Sequence, residues 1–528
     1  MSAAGSGAGP VVAAAATTID TPSIQYLQLS PVLIVFGVAM AGVLIEAFLP
    51  ERARQLVQPL LAGGGFIAAF VGVCLLHSHR GVLAAGAVAI DGPTLFMSGT
   101  ILVFAVLSVL LVAERKLDSA GGTLVADASV VPGASGARAL RTARGMQTEA
   151  YPLMAFSVAG MMLFVASNTL LVMFIALEIL SLPLYLLAGL ARRRRLLSQE
   201  AAVKYFLLGA FSSAFFLYGL ALIYGFAGSV ELGRIADAAG TVGRHDTYLY
   251  LGMALLAVGL LFKIGAAPFH SWTPDVYQGS PTPVTAFMAA GTKVAAFGAL
   301  LRVFYVSFGG LRWDWRPVMW AVAILTMVVG AVIAITQRDV KRMIGYSAVA
   351  HAGFILVGVA AANTEGLSGT MFYLVAYGFS TIAALAVVTL VRTGDGEASD
   401  LARWQGLGKQ KPLLAGSFAF LLLSMAGIPL TAGFIGKFSV FEAGVAGNAV
   451  PLVVVAVLTS AIAAFFYVRV IVLMFFSEPT GERPVVVAGS TLTYATVGIG
   501  TIMTLVLGVV PQPLLDLANH AAASGFVR

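Results

Sequence analysis

The chain has 528 residues, of which 59% are hydrophobic and only 10% are charged. Soluble domains carry about 25% charged residues, so this composition excludes an ordinary soluble protein and indicates one that crosses a membrane many times. The single cysteine, Cys74, excludes a disulfide framework and a cysteine-ligated iron–sulfur cluster. The sequence also lacks a phosphate-binding G-x-x-x-x-G-K-[ST] loop. Any redox or ATP chemistry that drives this protein is therefore expected in other subunits.

Two segments differ from the apolar remainder in composition. Residues 1–22 are rich in glycine and alanine and lack a basic n-region, so we expect a disordered tail rather than a secretory signal. Residues 118–148 combine glycine, alanine and serine with scattered arginines, and we expect a cytoplasmic loop. His77 and His79 lie at the end of an apolar run. Without a third ligand nearby, they are better interpreted as headgroup contacts than as a metal site.

The apolar runs predict an all-α polytopic membrane protein, because a spanning helix needs about 20 apolar residues. Fourteen runs meet this description, and two of them are broken by proline and glycine. The runs cover approximately residues 27–49, 58–78, 93–114, 150–166, 169–190, 199–227, 247–278 (broken), 282–307, 315–336, 341–362, 366–392, 410–445 (broken), 450–477 and 488–511.

The positions of the two breaks suggest an internal repeat. Runs 4 to 8 and runs 9 to 13 form two blocks in which the fourth run is broken, by GAAPF at Gly265 to Phe269 and by GIPLTAGFIGKF at Gly427 to Phe438. Two blocks of five helices must lie inverted to each other, and inverted repeats with paired broken helices are typical of transporters. The predicted units are a tail (1–22), peripheral helices (23–117), a loop (118–148), two repeats (149–308 and 309–478) and a final helix with its tail (479–528).

The basic residues between the runs predict the orientation. With the N-terminus outside, the cytoplasmic loops hold most of the lysines and arginines, including the cluster Arg192 to Arg195, which we interpret as a topology anchor in contact with lipid. The opposite loops and ends hold few, and we count Arg302 among them. An even number of helices places both termini outside.

Six ionisable residues in the apolar runs are candidates for a proton relay at membrane depth. A charge at this depth costs about 2.5–3.5 kcal/mol on insertion scales, so such residues indicate function. Burial disfavours the ammonium form of lysine and a nearby carboxylate favours it, so a moving carboxylate can switch a lysine between holding and releasing a proton. Arginine cannot do this, because it stays protonated. The candidates are Glu178, Lys204, Lys263, Lys293, His351 and Lys437.

Structural interpretations of the same residues stay open at this point. Glu178 and Lys293 are central in their runs, where a buried ion pair that locks helices together is the alternative to proton transfer. His351 is also explained by a neutral histidine hydrogen-bonded in the core. Lys204 lies one to two turns from a helix end, from which its side chain can snorkel to the headgroups. Asp275 follows the first break, where it either loads protons or caps a helix.

Three long motifs resemble the antiporter-like membrane subunits of respiratory complex I. They are KIGAAPFHSWTPDVYQGSPTPVTAF (Lys263 to Phe287), RDVKRMIGYSAVAHAGF (Arg338 to Phe354) and GIPLTAGFIGKF (Gly427 to Phe438). The motifs occur in the family's order, and the resemblance covers runs 4 to 13. The tail 1–22 and the loop 118–148 have no counterpart in the family pattern.

The resemblance implies a non-redox, proton-translocating subunit in a bacterial plasma membrane. The complex would oxidise NADH and reduce quinone elsewhere, with FMN, iron–sulfur clusters and quinone in partner subunits and no cofactor in this chain. The implied partners are neighbouring antiporter-like subunits, small membrane subunits and lipid, without nucleic acid. By motif position, the six candidates match the family's ionisable residues as follows: Glu178 in run 5, Lys204 in run 6, Lys263 in run 7, Lys293 in run 8, His351 at the bridging position of run 10 and Lys437 in run 12.

Two other functions compete with this one. A subunit of a multi-subunit sodium/proton antiporter would share the buried glutamate and lysines, but sodium favours clustered oxygen ligands and the core here is rich in lysine. A membrane scaffold without transport would use the same charges as buried ion pairs. Four central ionisable residues on separate helices are costly for packing alone.

Overall fold

Leucine, valine, alanine and phenylalanine fill the long apolar runs, and in the computed structural model these runs are helices. The structure describes residues 24–117, 122–125, 145–241, 246–394, 396–479, 484–488 and 490–527. The predicted tail 1–22 lies outside the described residues, as does most of the predicted loop 118–148.

The helices confirm the predicted all-α polytopic class. Within the described ranges, twelve helices are long and apolar enough to cross a membrane, and two shorter apolar helices cover Ala150–Ala166 and Pro412–Ala426. The exact total of fourteen spans stays a prediction. The helices are α1 (Tyr26–Phe48), α2 (Glu51–Leu75), α3 (Gly92–Ala113), α4 (Ala150–Ala166), α5 (Leu170–Ala188), α6 (Arg195–Ala227), α7 (Leu232–Thr241), α8 (Thr247–Ile264), α9 (Trp272–Gly279), α10 (Thr282–Ser307), α11 (Arg312–Thr336), α12 (Val340–Ala361), α13 (Thr364–Leu390), α14 (Pro412–Ala426), α15 (Ala432–Ala446), α16 (Val450–Phe476), α17 (Thr491–Val509) and α18 (Gln512–Ser524).

Both predicted interruptions are present. The first broken run is divided into α8 and α9, and the second into α14 and α15. Helix α10 is continuous but contains two π-helical segments, Met288–Thr292 and Val303–Ser307, on either side of an α-helical stretch. Such π segments inside helices are rare and are frequently found at functional sites.

Short polar side chains explain several helix starts. Each accepts a hydrogen bond from a backbone N–H in the first turn, which satisfies a donor that has no partner inside the helix. The residues that do this are Asp91 for α3, Thr169 for α5, Asp246 for α8, Asp339 for α12, Asn363 for α13 and Thr431 for α15.

Three helices form the centre of the molecule. The most apolar windows of α10 and α13 are completely buried, and that of α12 is 94% buried. Helices α11 and α12 pack closely, because Gly330 of α11 lies against the backbone of Ala350 and Gly353 of α12 lies against Met327. The corresponding windows of α1 and α2 are only 28% buried, as expected for peripheral helices.

Small strands join the helices at two places. Strands β1 (Gly81–Leu83) and β2 (Val88–Ile90) form an antiparallel hairpin between α2 and α3. Strand β3 (Val391–Thr393) pairs on one side with β4 (Gly396–Glu397) and on the other with β5 (Val485–Val486). These strands lie between helices, so the all-α class of the protein is unchanged.

Two arginine predictions are wrong in detail. Arg302, counted among the loop and end residues, lies in α10 with a completely buried side chain, 2.7 Å from the equally buried carboxylate of Asp91. Arg192, interpreted as part of a lipid-contacting anchor, is 3% exposed. Its Nε donates to the carbonyl of Gly122 at 2.9 Å, so it holds a loop in place. Both side chains find protein partners that lie far away along the sequence.

Candidate functional site

The two interrupted helices end in the same way. Helix α8 is followed by the capping residue Gly265 and α14 by Gly427, both in the left-handed conformation, with φ of 80° and 88°. The next residue in each case, Ala266 or Ile428, donates its N–H to a carbonyl in the preceding turn, Leu261 or Leu423. This is the Schellman pattern of helix termination, which favours glycine at the left-handed position. The shared cap supports the predicted pairing of the two blocks, although their inverted relation stays a prediction.

Each break frees carbonyl oxygens, and a lysine binds them. The residues four positions after Ile264 and Met425 are Pro268 and Pro429, which have no N–H to donate. Lys293 Nζ lies 3.3 Å from the Ile264 carbonyl and 2.7 Å from that of Ala348 in α12.

Lys437 Nζ lies 3.0 Å from the Met425 carbonyl, 2.8 Å from that of Ala426 and 2.8 Å from Ser460 Oγ. The C-terminus of a helix carries partial negative charge. The broken ends of α8 and α14 are therefore suited to hold an ammonium group at membrane depth.

Lys263 is surrounded by hydroxyl groups and aromatic rings. It is 3% exposed, and its Nζ donates to Ser181 Oγ at 2.7 Å and to the Tyr205 hydroxyl at 3.3 Å. The same ammonium group lies 5.2 Å from the ring centre of Tyr205 and 5.8 Å from that of Tyr185. These neutral contacts stabilise the charged form without fixing it in an ion pair.

Glu178 lies one helical turn before Ser181 on α5, and it acts electrostatically on Lys263. Its side chain is half-buried, and its Oε1 atom has no hydrogen-bond partner among the residues that the structure describes. Among the described residues, no ion pair within 4 Å joins Glu178 to Lys263 or Lys204. The carboxylate is therefore near the lysine but not bonded to it.

Lys204 occupies a different environment from the buried lysines. Its side chain is 43% exposed and forms ion pairs with Glu200 at 2.7 Å and with Asp275 at 2.8 Å. Asp275 also accepts from Arg342 of α12. The structure thus places Lys204 and Asp275 in one half-exposed cluster, separate from the chain of buried groups.

His351 lies between the two carbonyl-bound lysines. It is 2% exposed; its Nδ1 is 2.8 Å from the Tyr373 hydroxyl and its Nε2 is 3.1 Å from the Tyr467 hydroxyl. Both Lys293 and Lys437 act on it electrostatically. Lys293 Nζ lies 5.6 Å from the ring centre of Tyr377, which in turn is 5.0 Å from the imidazole ring. One set of contacts therefore connects Lys293 with His351.

Phe354 connects His351 with Lys437. Its ring packs edge-to-face against the imidazole at 5.9 Å, and Lys437 Nζ lies 4.8 Å from the centre of the same ring. The structure therefore brings Lys263, Lys293, His351 and Lys437 into one buried series, in which consecutive members are joined through backbone carbonyls or aromatic rings.

The hydroxyl partners in this series were missed at the sequence level. They are Ser181, Tyr205, Ser347, Tyr373, Tyr467 and Ser460. The sequence spacing could have indicated two of them. Ser181 follows Glu178 by three residues and Ser347 precedes His351 by four, and residues at these spacings lie on the same face of a helix. Tyr373 and Tyr467 belong to other helices, and no spacing along the sequence connects them with His351.

Comparisons with known proteins agree with this geometry. The family profile described as "NADH:quinone oxidoreductase/Mrp antiporter, TM" matches residues 167–482, a range that holds all six candidate residues. NADH-quinone oxidoreductase subunit N of Parafrankia sp. (strain EAN1pec) is 77% identical over 514 residues, which cover 97% of this chain and 98% of the relative.

Solved structures have the same fold. A chain in respiratory complex I from Thermus thermophilus is similar with a TM-score of 0.76 at 33% identity, over 93% of this chain and 99% of that one. A chain of the Mrp complex from Dietzia sp. DQ12-45-1b has a TM-score of 0.79 over 94% of this chain and 97% of that one, but at 22% identity it shows the fold alone. The identities and coverage confirm the resemblance found in the motifs: this chain belongs to the family of NADH-quinone oxidoreductase subunit N.

Proposed function

We propose that this chain translocates protons in the membrane part of an NADH-quinone oxidoreductase, along a relay that runs from Glu178 and Lys263 through Lys293 and His351 to Lys437. One observation carries the proposal: three buried lysines are bound by neutral oxygen atoms rather than by carboxylates. Within the described part of the chain, none of the three is in an ion pair. A scaffold would bury such charges as pairs, because an unpaired buried charge is costly.

The first section of the relay lies at the break after α8. Glu178 lies one helical turn before Ser181, which accepts from Lys263, so we propose that a movement of this carboxylate changes how firmly the lysine holds its proton. Lys204 belongs to the proposal as the group at the half-exposed edge, together with Asp275. Lys204 precedes Tyr205, whose hydroxyl contacts Lys263. A proton loaded at this edge would need water or side-chain movement to reach Lys263, because neighbouring side chains on one helix do not face each other.

The central section needs water or side-chain movement between Lys263 and Lys293. Both amines are close to Ile264, but its backbone carbonyl accepts a hydrogen bond and cannot pass on a proton. From Lys293 onward, His351 has the right chemistry, because imidazole binds a proton at one ring nitrogen and releases one from the other. The hydroxyls of Tyr373 and Tyr467 each donate and accept, so they hold the ring in either state.

The redox chemistry belongs to partner subunits in this proposal. The sequence has one cysteine, Cys74, which is exposed and supplies too few thiolates for an iron–sulfur cluster. We therefore assign FMN, iron–sulfur clusters and quinone to other subunits, and this chain acts as the translocating part of the enzyme. It would lie in the bacterial plasma membrane beside other antiporter-like and small membrane subunits, with both termini outside.

The experiment is proton translocation per NADH oxidised in inverted membrane vesicles that contain the assembled complex. Lys293→Gln retains a hydrogen-bond donor but cannot carry a proton. We expect quinone-coupled turnover and proton translocation to fall by at least about tenfold, since positioned proton-transfer groups contribute about 10²–10⁴-fold. Lys409→Gln, at a side chain that is 70% exposed, is the matched control and should behave as wild type.

Two outcomes would contradict the proposal. Wild-type proton translocation by an assembled Lys293→Gln complex would exclude the relay. If the subunit co-purified in mild detergent without flavin, iron–sulfur clusters and NADH dehydrogenase activity, the sodium/proton antiporter would become the better assignment.

A further inference from the structure

A deep apolar groove is lined by none of the relay residues. Its volume is about 880 Å³, and its walls come from α2, α3, α17 and α18, with Val375 and Phe379 of α13 at the bottom. An adjoining apolar space of about 400 Å³ continues it toward Ile67, Val106 and Ile499, and the two share Phe379 and Met503. The groove therefore reaches from the membrane-facing surface to a central helix.

Basic and imidazole side chains line the groove at one end, and the Thr100 hydroxyl farther along α3 is bonded to the Phe96 carbonyl. His77 and Arg80 lie just beyond the end of α2, and His520 lies on α18 after the end of α17. These are the positions where membrane-spanning helices reach the headgroup region. The side chains that line the adjoining space at the other end are entirely apolar.

The length of the groove corresponds to one lipid leaflet. Its lining on α3 extends from Gly92 to Leu107, about 22 Å at 1.5 Å per residue. One leaflet together with its headgroup region contributes half of a total thickness of about 40–45 Å, which is about 20–22 Å.

Arg80 has donors to offer a ligand at the polar end. Its Nη1 donates to the carbonyls of His77 and His79 at 2.9 and 2.7 Å, which hold the guanidinium in place. The described contacts of Arg80 do not involve Nη2 or Nε. A phosphate group is the partner that a planar guanidinium binds best.

We propose that this groove binds a membrane phospholipid with an anionic headgroup, its acyl chains along α3 and its phosphate at Arg80, His77 and His520. The apolar length fits the chains, and the positive charge at one end complements the headgroup. The bound lipid would fill the space between the peripheral helix α2 and the helices α13 and α17. This site is separate from the proposed relay and does not depend on it.

The test uses the intact purified complex in nanodiscs of phosphatidylcholine that contain a trace of a photoreactive lipid. Two probes with the same diazirine-bearing acyl chain are compared, one phosphatidylglycerol and one phosphatidylcholine. We expect labelling of groove peptides from α3 and α17, with the phosphatidylglycerol probe preferred by about fivefold. This factor corresponds to about 1 kcal/mol for a basic residue near an anionic surface.

Arg80→Ala and His520→Ala separate the headgroup contact from general exposure to lipid. In each variant we expect the ratio of phosphatidylglycerol to phosphatidylcholine labelling to fall toward one. Arg312→Ala, at an exposed arginine outside the groove, should leave this ratio unchanged. Gly99→Leu should reduce labelling with both probes, because a side chain there meets Phe70 and fills the groove. Gly64→Leu is its control, since that position on α2 faces open space.

Three results would overturn the proposal. The first is equal labelling of wild type by both probes, or a preference that survives Arg80→Ala and His520→Ala. The second is cross-linking of the groove residues to a partner polypeptide in place of the lipid, which would show a protein interface. The third is the finding that wild-type complex retains quinone in the groove instead of phospholipid, and that the Gly99→Leu complex loses this quinone.

Discussion

The Nζ atom of Lys437 lies 2.8 Å from the carbonyl oxygen of Ala426, the last residue of α14. Next to this contact is Gly427, whose positive φ ends the helix. A Cβ atom at Gly427 would lie 3.0 Å from Lys437 Cδ and 3.2 Å from its Nζ. The glycine therefore permits both the break in the helix and the close approach of the lysine.

Gly427→Ala should affect stability and proton transfer together. The left-handed conformation costs a residue with a side chain about 1–2 kcal/mol, and the added methyl group pushes Lys437 from the carbonyls. We expect lower thermal stability of the complex and reduced proton translocation per NADH. Gly416→Ala in the middle of α14 is the control: it meets nothing within 4 Å, and alanine is favoured over glycine there by about 0.5–1 kcal/mol. A Gly427→Ala complex with both properties unchanged would contradict the role assigned to the break.

Lys263→Ala and Lys263→Arg should both impair pumping. Alanine removes the proton-carrying group, and arginine keeps the charge but cannot release the proton. We expect proton translocation and coupled NADH–quinone turnover to fall by at least about tenfold in both variants. Assembly is checked separately, by the amount of intact complex in native gels. Wild-type pumping in an assembled Lys263→Arg complex would leave only a structural role for the charge.

Glu178→Gln tests the partner of that lysine. The substitution nearly preserves shape but removes the charge that acts on Lys263. Because Glu178 Oε1 has no hydrogen-bond partner, we expect stability to change little while pumping falls. Thermal unfolding and proton translocation are measured on the same preparation. A large loss of stability with normal pumping in the remaining folded complex would refute the switching role.

Tyr467→Phe should weaken the contact between His351 and its surroundings. The hydroxyl lies 3.1 Å from His351 Nε2 and is also bonded to Ser347. Its removal leaves buried polar atoms without a partner, which costs about 1–3 kcal/mol. We expect slower proton translocation at saturating NADH. Tyr151→Phe is the control, because the buried Tyr151 hydroxyl has no hydrogen-bond partner in the described part of the chain.

Asp91→Asn should destabilise the complex by about 3–5 kcal/mol. It leaves the buried guanidinium of Arg302 unpaired and weakens the cap of α3. The double variant Asp91→Leu and Arg302→Met removes both charges and should recover much of the loss. Thermal unfolding of the purified complex gives both values. A single variant as stable as wild type would mean that the pair contributes little.

Local rules made part of this protein predictable from sequence. Proline lacks an N–H and clashes with the preceding helical turn, so Pro268 and Pro429 located both interruptions before any fold was known. Lys263, Lys293 and Lys437 were recognisable as unusual because they lie within apolar runs. The free-energy cost of a charge there follows from its depth in the membrane. The prolines act on the backbone and the lysines are costly because of the surrounding membrane. Neither effect requires knowledge of the neighbouring helices.

Partners of buried side chains were decided only by the tertiary structure. His351 meets Tyr467 across 116 residues of sequence, and Arg302 meets Asp91 across 211. The apolar runs that carry these residues look alike in sequence, so periodicity cannot say which helices pack together or at what rotation. Spacing along one helix relates Glu178 to Ser181, but only the packing of α6 against both α5 and α8 explains how Ser181 meets Lys263. The sequence by itself therefore determined which groups are buried and where helices break, whereas the packing of separate helices determined what each buried group touches.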